Sequence, residues 1–131
     1  MKKTKIGIIG LGYVGLPVCL SFANKYKTIG YDIDESKIDK LTKEYSKKYN
    51  KLTFTKEIND LKLCNLYIVI VPTPVDKYNI PDLNLLKKAC ENLGKLITSS
   101  DTVIFESTVY PGVTEDVCGK ILSHKSKLKI I

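Results

Sequence analysis

Three glycines spaced as Gly10-Leu11-Gly12-Tyr13-Val14-Gly15 follow directly on a short apolar run and open an amphipathic segment. That context suits a turn whose backbone amides face an anion. Gly10 permits the tight bend, Gly12 lets the backbone approach a pyrophosphate, and Gly15 brings the following helix close to the strand. The next apolar run ends in Gly30-Tyr31-Asp32, which sets a carboxylate about twenty residues beyond the first glycine, where it can accept both hydroxyls of an adenine ribose. The other role open to Asp32 is capping the helix that follows. A carboxylate there repels a 2′-phosphate, and no arginine follows to welcome one, so the pattern selects NAD over NADP. Lys37, five residues on, either approaches the ribose side or stands as a solvent-facing helix lysine.

Other reactive side chains offer less. Cys19, Cys64, Cys90 and Cys118 are far apart, with no Cys-x-x-Cys pair, which argues against a zinc cage or a disulfide framework and reads as reduced thiols. Each lies within or beside a predicted helix, where a buried thiol is the ordinary expectation. His124 has no acidic neighbour in sequence and reads as a solvated residue, so no metal site is expected. The formal charge is +7, but the 21 basic residues are all lysines and scatter along the chain, so no basic stripe is expected. Without arginine forks a nucleic-acid partner is not expected.

The elements that must hold these groups alternate. Strand-like runs lie at Lys5 to Ile9, Thr28 to Tyr31, Leu66 to Val71 and Thr102 to Phe105, with a weaker one at Leu52 to Thr55 and a last one at Leu128 to Ile131. Helical patterns lie between them at Gly15 to Tyr26, Ser36 to Lys48, Leu83 to Ile97 and Val113 to Leu122, with Asp82 placed to cap the third. Such alternation predicts an α/β fold of the Rossmann type, a doubly wound parallel sheet forming one domain over residues 1–131. The longest apolar run, Leu66 to Val71, is strand-sized, so no membrane span is expected. The basic start is followed by a strand and a glycine turn with no cleavage site, which points to a cytoplasmic protein.

Two further runs carry a resemblance: Tyr67-Ile68-Val69-Ile70-Val71-Pro72-Thr73-Pro74-Val75-Asp76 and Glu106-Ser107-Thr108-Val109-Tyr110-Pro111-Gly112. Each ends a predicted strand, where ligands of open parallel sheets collect. With Gly-Leu-Gly-Tyr-Val-Gly-Leu-Pro at 10–17, they make the whole chain resemble the UDP-glucose/GDP-mannose dehydrogenase family. Tyr110 and the Val-Pro-Thr-Pro run look most like its UDP-N-acetylhexosamine branch.

The resemblance implies an NAD-dependent, two-step oxidation of the sugar C6 alcohol to a carboxylate through a thiohemiacetal on a cysteine, supplying uronic acids for surface polysaccharide. It gives Gly10, Gly12, Tyr13, Val14 and Gly15 to the pyrophosphate loop, Asp32 and Lys37 to the adenosine side, and Thr73 to the ribose side. Ser107 and Thr108 fall beside the nicotinamide, with Thr108 as an accessory catalytic hydroxyl. Read locally, Thr108 is equally a hydroxyl capping the helix near Val113. Val75 departs from the threonine that many UDP-glucose members carry near the cofactor. The family's nucleophilic cysteine, its lysine, asparagine and glutamate partners, and its central and sugar-binding domains are expected beyond Ile131. On that reading the chain holds NAD without turning over a UDP-sugar by itself. A nucleotide-sensing regulatory module is the competing reading, and a remnant with no independent role is a third. An exposed sheet edge would favour a homodimer.

Overall fold

The computed structural model describes residues 3–106 and 112–128. Strand β1 (Lys5–Ile9) leads through helix α1 (Gly15–Ala23) to β2 (Lys27–Tyr31), and α2 (Glu35–Tyr45) leads to β3 (Leu52–Thr55). A 3₁₀ segment (Ile58–Leu63) then precedes β4 (Leu66–Val69), α3 (Asn84–Gly94) and β5 (Thr102–Phe105). A π-helical turn (Val113–Gly119) runs into α4 (Lys120–Ser126). The strands form one five-stranded sheet in the order β3-β2-β1-β4-β5. All four pairings are parallel, as the alternation of strands and helices requires.

Burial follows the period of two. In β1, Ile6 and Ile8 pack with Cys19 and Ala23 of α1 and with Ile38 and Leu41 of α2 on one face. Ile9 faces the other side, where Tyr67, Val69 and the α3 residues Leu86, Ala89, Cys90 and Leu93 form a second core. A parallel sheet covered on both faces needs near-continuous apolar strands, and β1 and β4 supply them. The strand order reverses between β1 and β4, so the carboxyl ends of these strands open a crevice at the switch point.

Strand β4 stops at Val69, two residues short of the expected end. Ile70 still donates to the Ile9 carbonyl at 2.8 Å, but the chain then leaves at Val71-Pro72, where proline has no amide to continue the ladder. Asp82 lies one position before the cap of α3, which is Leu83, and its Oδ1 accepts from the Asn84 amide at 2.9 Å. The segment expected as one helix from Val113 is a π turn followed by a short α-helix. Val113 and Cys118 are both buried, yet five residues apart at 3.6 per turn they would point roughly 140° away from each other. The wider i→i+5 turn brings both toward the core. The 3₁₀ segment has no counterpart among the sequence expectations; its three-residue repeat carries Ile58 and Leu61 to one side, and Leu61 is fully buried. Of the expected last strand only Leu128 lies within the described residues, and it is irregular.

Candidate functional site

The crevice is built at its left half by the turn between β1 and α1. Gly10 has φ +103°, a conformation that side chains strongly disfavour, and a Cβ there would strike the Ile70 carbonyl. Its amide donates to the Tyr31 carbonyl at 2.9 Å, tying the ends of β1 and β2 together. At Gly15 a Cβ would collide with the Gly10 carbonyl, so the glycine there lets α1 start directly behind the turn. Helix α1 begins at Gly15 with no capping side chain and no acidic residue in its first turn. The Leu16 amide donates to the Gly12 carbonyl at 3.1 Å and the Val18 amide to the Val14 carbonyl at 3.2 Å, and the helix dipole at this end favours an anion.

Asp32 stands across from this turn at the end of β2. Its amide donates to the Thr55 carbonyl at 3.2 Å, its Oδ1 accepts from the Asp34 amide at 3.0 Å, and its Oδ2 accepts from the Leu11 amide at 3.1 Å. The carboxylate thereby links the glycine turn to the second strand. Lys37 Nζ pairs with the same Oδ2 at 3.3 Å, with the lysine side chain 38% and the aspartate 14% exposed. Asp32 does not cap α2. Asp34 does, accepting from the Lys37 amide at 3.2 Å. Nor is Lys37 a purely solvent-facing residue, since α2 begins at Glu35 and aims its first turn at Asp32.

These groups fit a dinucleotide. A Cβ built at Gly12 meets nothing within 4 Å, so open space lies over the turn where a pyrophosphate approaches backbone. Tyr13 is wholly exposed on the glycine turn, and Val14 and Ile33, the latter next to Asp32 in the chain, are exposed as well. Leu11 and Ile33 were not singled out from sequence. Ile33 carries a legible signal, an apolar residue set between Asp32 and Asp34; the Leu11 contact is through backbone and has none.

The right half of the crevice belongs to the chain beyond β4 and β5. Thr73 is half-buried on the loop after β4. That loop closes into a small hairpin through a Val75 to Pro81 bridge, with Asp76 Oδ1 accepting from the amides of Tyr78 at 2.8 Å and Ile80 at 3.0 Å. Ser107 and Thr108 lie outside the described residues, as do Val109, Tyr110 and Pro111. The four thiols take no part: all are buried, and burial pushes Cys19 up to about 12 and Cys64 up to about 11. Burial also raises Cys90 and Cys118, so these thiols stay protonated at neutral pH.

A doubly wound sheet, a glycine turn at its switch point and a carboxylate at the end of the second strand define a dinucleotide-binding domain of the Rossmann class. The family model described as the UDP-glucose/GDP-mannose dehydrogenase family, NAD binding domain, matches residues 4–130, and the chain belongs to that family. It is 46% identical to Protein CapL of Staphylococcus aureus over 94% of this chain and 31% of that protein. It is 42% identical to a UDP-N-acetyl-D-glucosamine 6-dehydrogenase of Pseudomonas aeruginosa over 98% of this chain and 33% of that protein. A solved UDP-D-ManNAc dehydrogenase from Pyrococcus horikoshii superposes with a TM-score of 0.87 at 32% identity, over 97% of this chain and 34% of that one. The chain thus spans about a third of the length of these relatives, and it corresponds to their NAD-binding portion.

Proposed function

We propose that this chain supplies the NAD site of a nucleotide-sugar 6-dehydrogenase, which oxidises the C6 alcohol of a UDP-N-acetylhexosamine to a uronic acid for surface polysaccharide. The observation that carries the cofactor half of this reading is the Asp32 carboxylate, held 3.1 Å from the Leu11 amide beside the open turn at Gly12. What carries the substrate half is the likeness to CapL and to UDP-N-acetyl-D-glucosamine 6-dehydrogenase at 46% and 42% identity. A regulatory sensor is not favoured, because the relatives with this sequence are dehydrogenases.

In this reading Gly10, Gly12, Tyr13, Val14 and Gly15 present backbone to the pyrophosphate, and the α1 amino terminus stabilises its charge. Asp32 accepts the ribose hydroxyls and Lys37 holds the carboxylate in place while limiting its repulsion toward the diphosphate. The family resemblance assigns Thr73 to the ribose side and Ser107 and Thr108 to the nicotinamide, where the Thr108 hydroxyl can donate or accept at the reacting oxygen. When bound, NAD supplies the hydride acceptor for the oxidation. The chain spans about a third of its relatives, and the sugar pocket and the nucleophilic thiol are assigned to the part of the enzyme it does not span. We place the enzyme in the cytoplasm as a homodimer; no described helix is long and apolar enough to cross a membrane.

The test compares the whole enzyme with this chain. The whole enzyme should release two reduced nicotinamides per UDP-N-acetylglucosamine or its C2 epimer, and this chain alone should release none under the same conditions. Sustained NADH production by the pure chain, or a whole enzyme that ignores all UDP-N-acetylhexosamines, overturns the reading.

A further inference from the structure

The fold gathers lysines that the sequence scatters. Lys5 opens β1, Lys27 opens β2, and Lys51 immediately precedes β3, so three neighbouring strands begin with a cation at the amino-terminal edge of the sheet, opposite the glycine turn. Lys5 and Lys27 are direct register partners, a like-charge pair on adjacent strands, which costs stability unless an anion relieves it. Lys3 and Lys25 flank the row, and the five line one concavity of about 590 Å³ with Tyr26 on its wall. That volume lies within the range of about 300–1,000 Å³ usual for small-ligand sites.

Hydrogen bonds to the backbone on both sides of the row hold the platform together. Asn65 accepts from the Lys5 amide at 2.9 Å and donates from Nδ2 to the Lys3 carbonyl at 2.9 Å, pinning the amino terminus to β4. The Lys51 carbonyl accepts from the Thr28 amide at 2.9 Å, and Lys51 Nζ donates to the Lys25 carbonyl at 3.1 Å. No carboxylate lines this concavity. Among the described residues the ion pairs are Lys37 with Asp32 and Lys56 with Glu35, neither of them here. The acid at this edge, Asp101 before β5, accepts from the Thr98 amide and stands on the far side of Lys5.

From this arrangement we infer a second anion site, on the edge of the sheet away from the cofactor turn, that binds an oligophosphate across Lys5, Lys27 and Lys51. Lysine is a point charge with rotatable donors and suits phosphate oxygens without needing a planar fork. Strands about 4.8 Å apart set the three lysines side by side along the edge, and their flexible stems let a chain of phosphates reach all of them where a single phosphate does not. The source is either a free phosphate chain or the phosphate tail of a nucleotide, and Tyr26 offers a ring beside which a base can lie.

The test titrates the 131-residue chain with tripolyphosphate, and separately with UTP, while following backbone amide resonances. The expected result is a saturable shift at Lys5, Lys27, Thr28 and Lys51, weakened by added salt. Affinity should fall at least tenfold in a Lys27→Gln/Lys51→Gln chain whose other resonances stay in place. The exposed single variant Lys51→Glu gives a second reading should the double variant lose its fold, and it should weaken binding in the same direction. Tighter UTP binding with added shifts at Tyr26 identifies a nucleotide, and equal affinity identifies the phosphate chain alone; both support the site. Shifts confined to Gly12 through Gly15, no shift at millimolar ligand, or full affinity in the lysine variants overturn it.

Discussion

The two halves of the crevice are built differently. On the β1–β2 side the groups proposed to meet the cofactor are tied to one another across the sheet: the Gly10 amide to the Tyr31 carbonyl, the Leu11 and Asp34 amides to the Asp32 carboxylate, and the Asp32 amide to the Thr55 carbonyl. On the β4 side the chain leaves the sheet at Val71-Pro72 and forms a hairpin whose Val75, Tyr78 and Ile80 are exposed, while its polar contacts centre on its own Asp76. The adenosine half is therefore fixed by the sheet itself. The hairpin is fixed mainly by its own turn, so substitutions there should leave the fold and adenosine recognition intact.

The largest effect is expected in the core that both halves share. Leu93→Ala removes a fully buried side chain of α3 and should cost about 2–5 kcal/mol of unfolding free energy in urea titrations. Close behind comes Gly10→Val, which forces a branched side chain into φ +103° against the Ile70 carbonyl. We expect about 3 kcal/mol of destabilisation, from strain and overpacking together, and loss of NAD binding in any chain that remains folded. If Gly10→Val binds NAD normally, the tight turn is not what positions the cofactor.

The buried thiols sharpen the same comparison through pH. Cys19 is raised from its ordinary 9.0 to about 12 by burial, so the folded chain holds its proton more tightly than the unfolded chain does. The resulting stability is fully present below pH 9.0 and is lost as pH climbs through that window toward about 12. Denaturation midpoints should fall with rising alkalinity, and a thiol reagent at neutral pH should label the four cysteines only after unfolding. Rapid labelling of the native chain would contradict the burial. The smallest effect belongs to the hairpin: Tyr78→Ser should shift stability by less than about 0.5 kcal/mol, because the ring is exposed.

Legibility in the sequence divides along the same line. The glycine turn, Asp32 and the strand-helix alternation were readable because each depends on local residue types at fixed spacing, and the observed strand order follows. The π turn was not readable: the run from Val113 to Leu122 alternates apolar and polar residues as an amphipathic helix does, and the five-residue spacing of Val113 and Cys118 marks a wider turn only once both are seen to be buried. The hairpin after Pro74 was missed because its pairing is a single Val75 to Pro81 bridge whose turn is held by Asp76, without alternating apolar residues. The lysine row was invisible for another reason. Lys5, Lys27 and Lys51 are far apart in sequence, and only parallel register makes their strands start side by side.

The central claim is that Asp32, anchored to the glycine turn, makes this chain an NAD site that discriminates against NADP. Calorimetric titration with NAD, with NADP, and with NAD against Asp32→Ala tests it most directly. Saturable NAD binding, weaker NADP binding and a loss of about 10-fold to 100-fold in NAD affinity for the variant are expected, the size of effect that hydrogen bonds to a charged group produce. Equal affinity for both cofactors, or undiminished NAD binding by a folded Asp32→Ala chain, would contradict it.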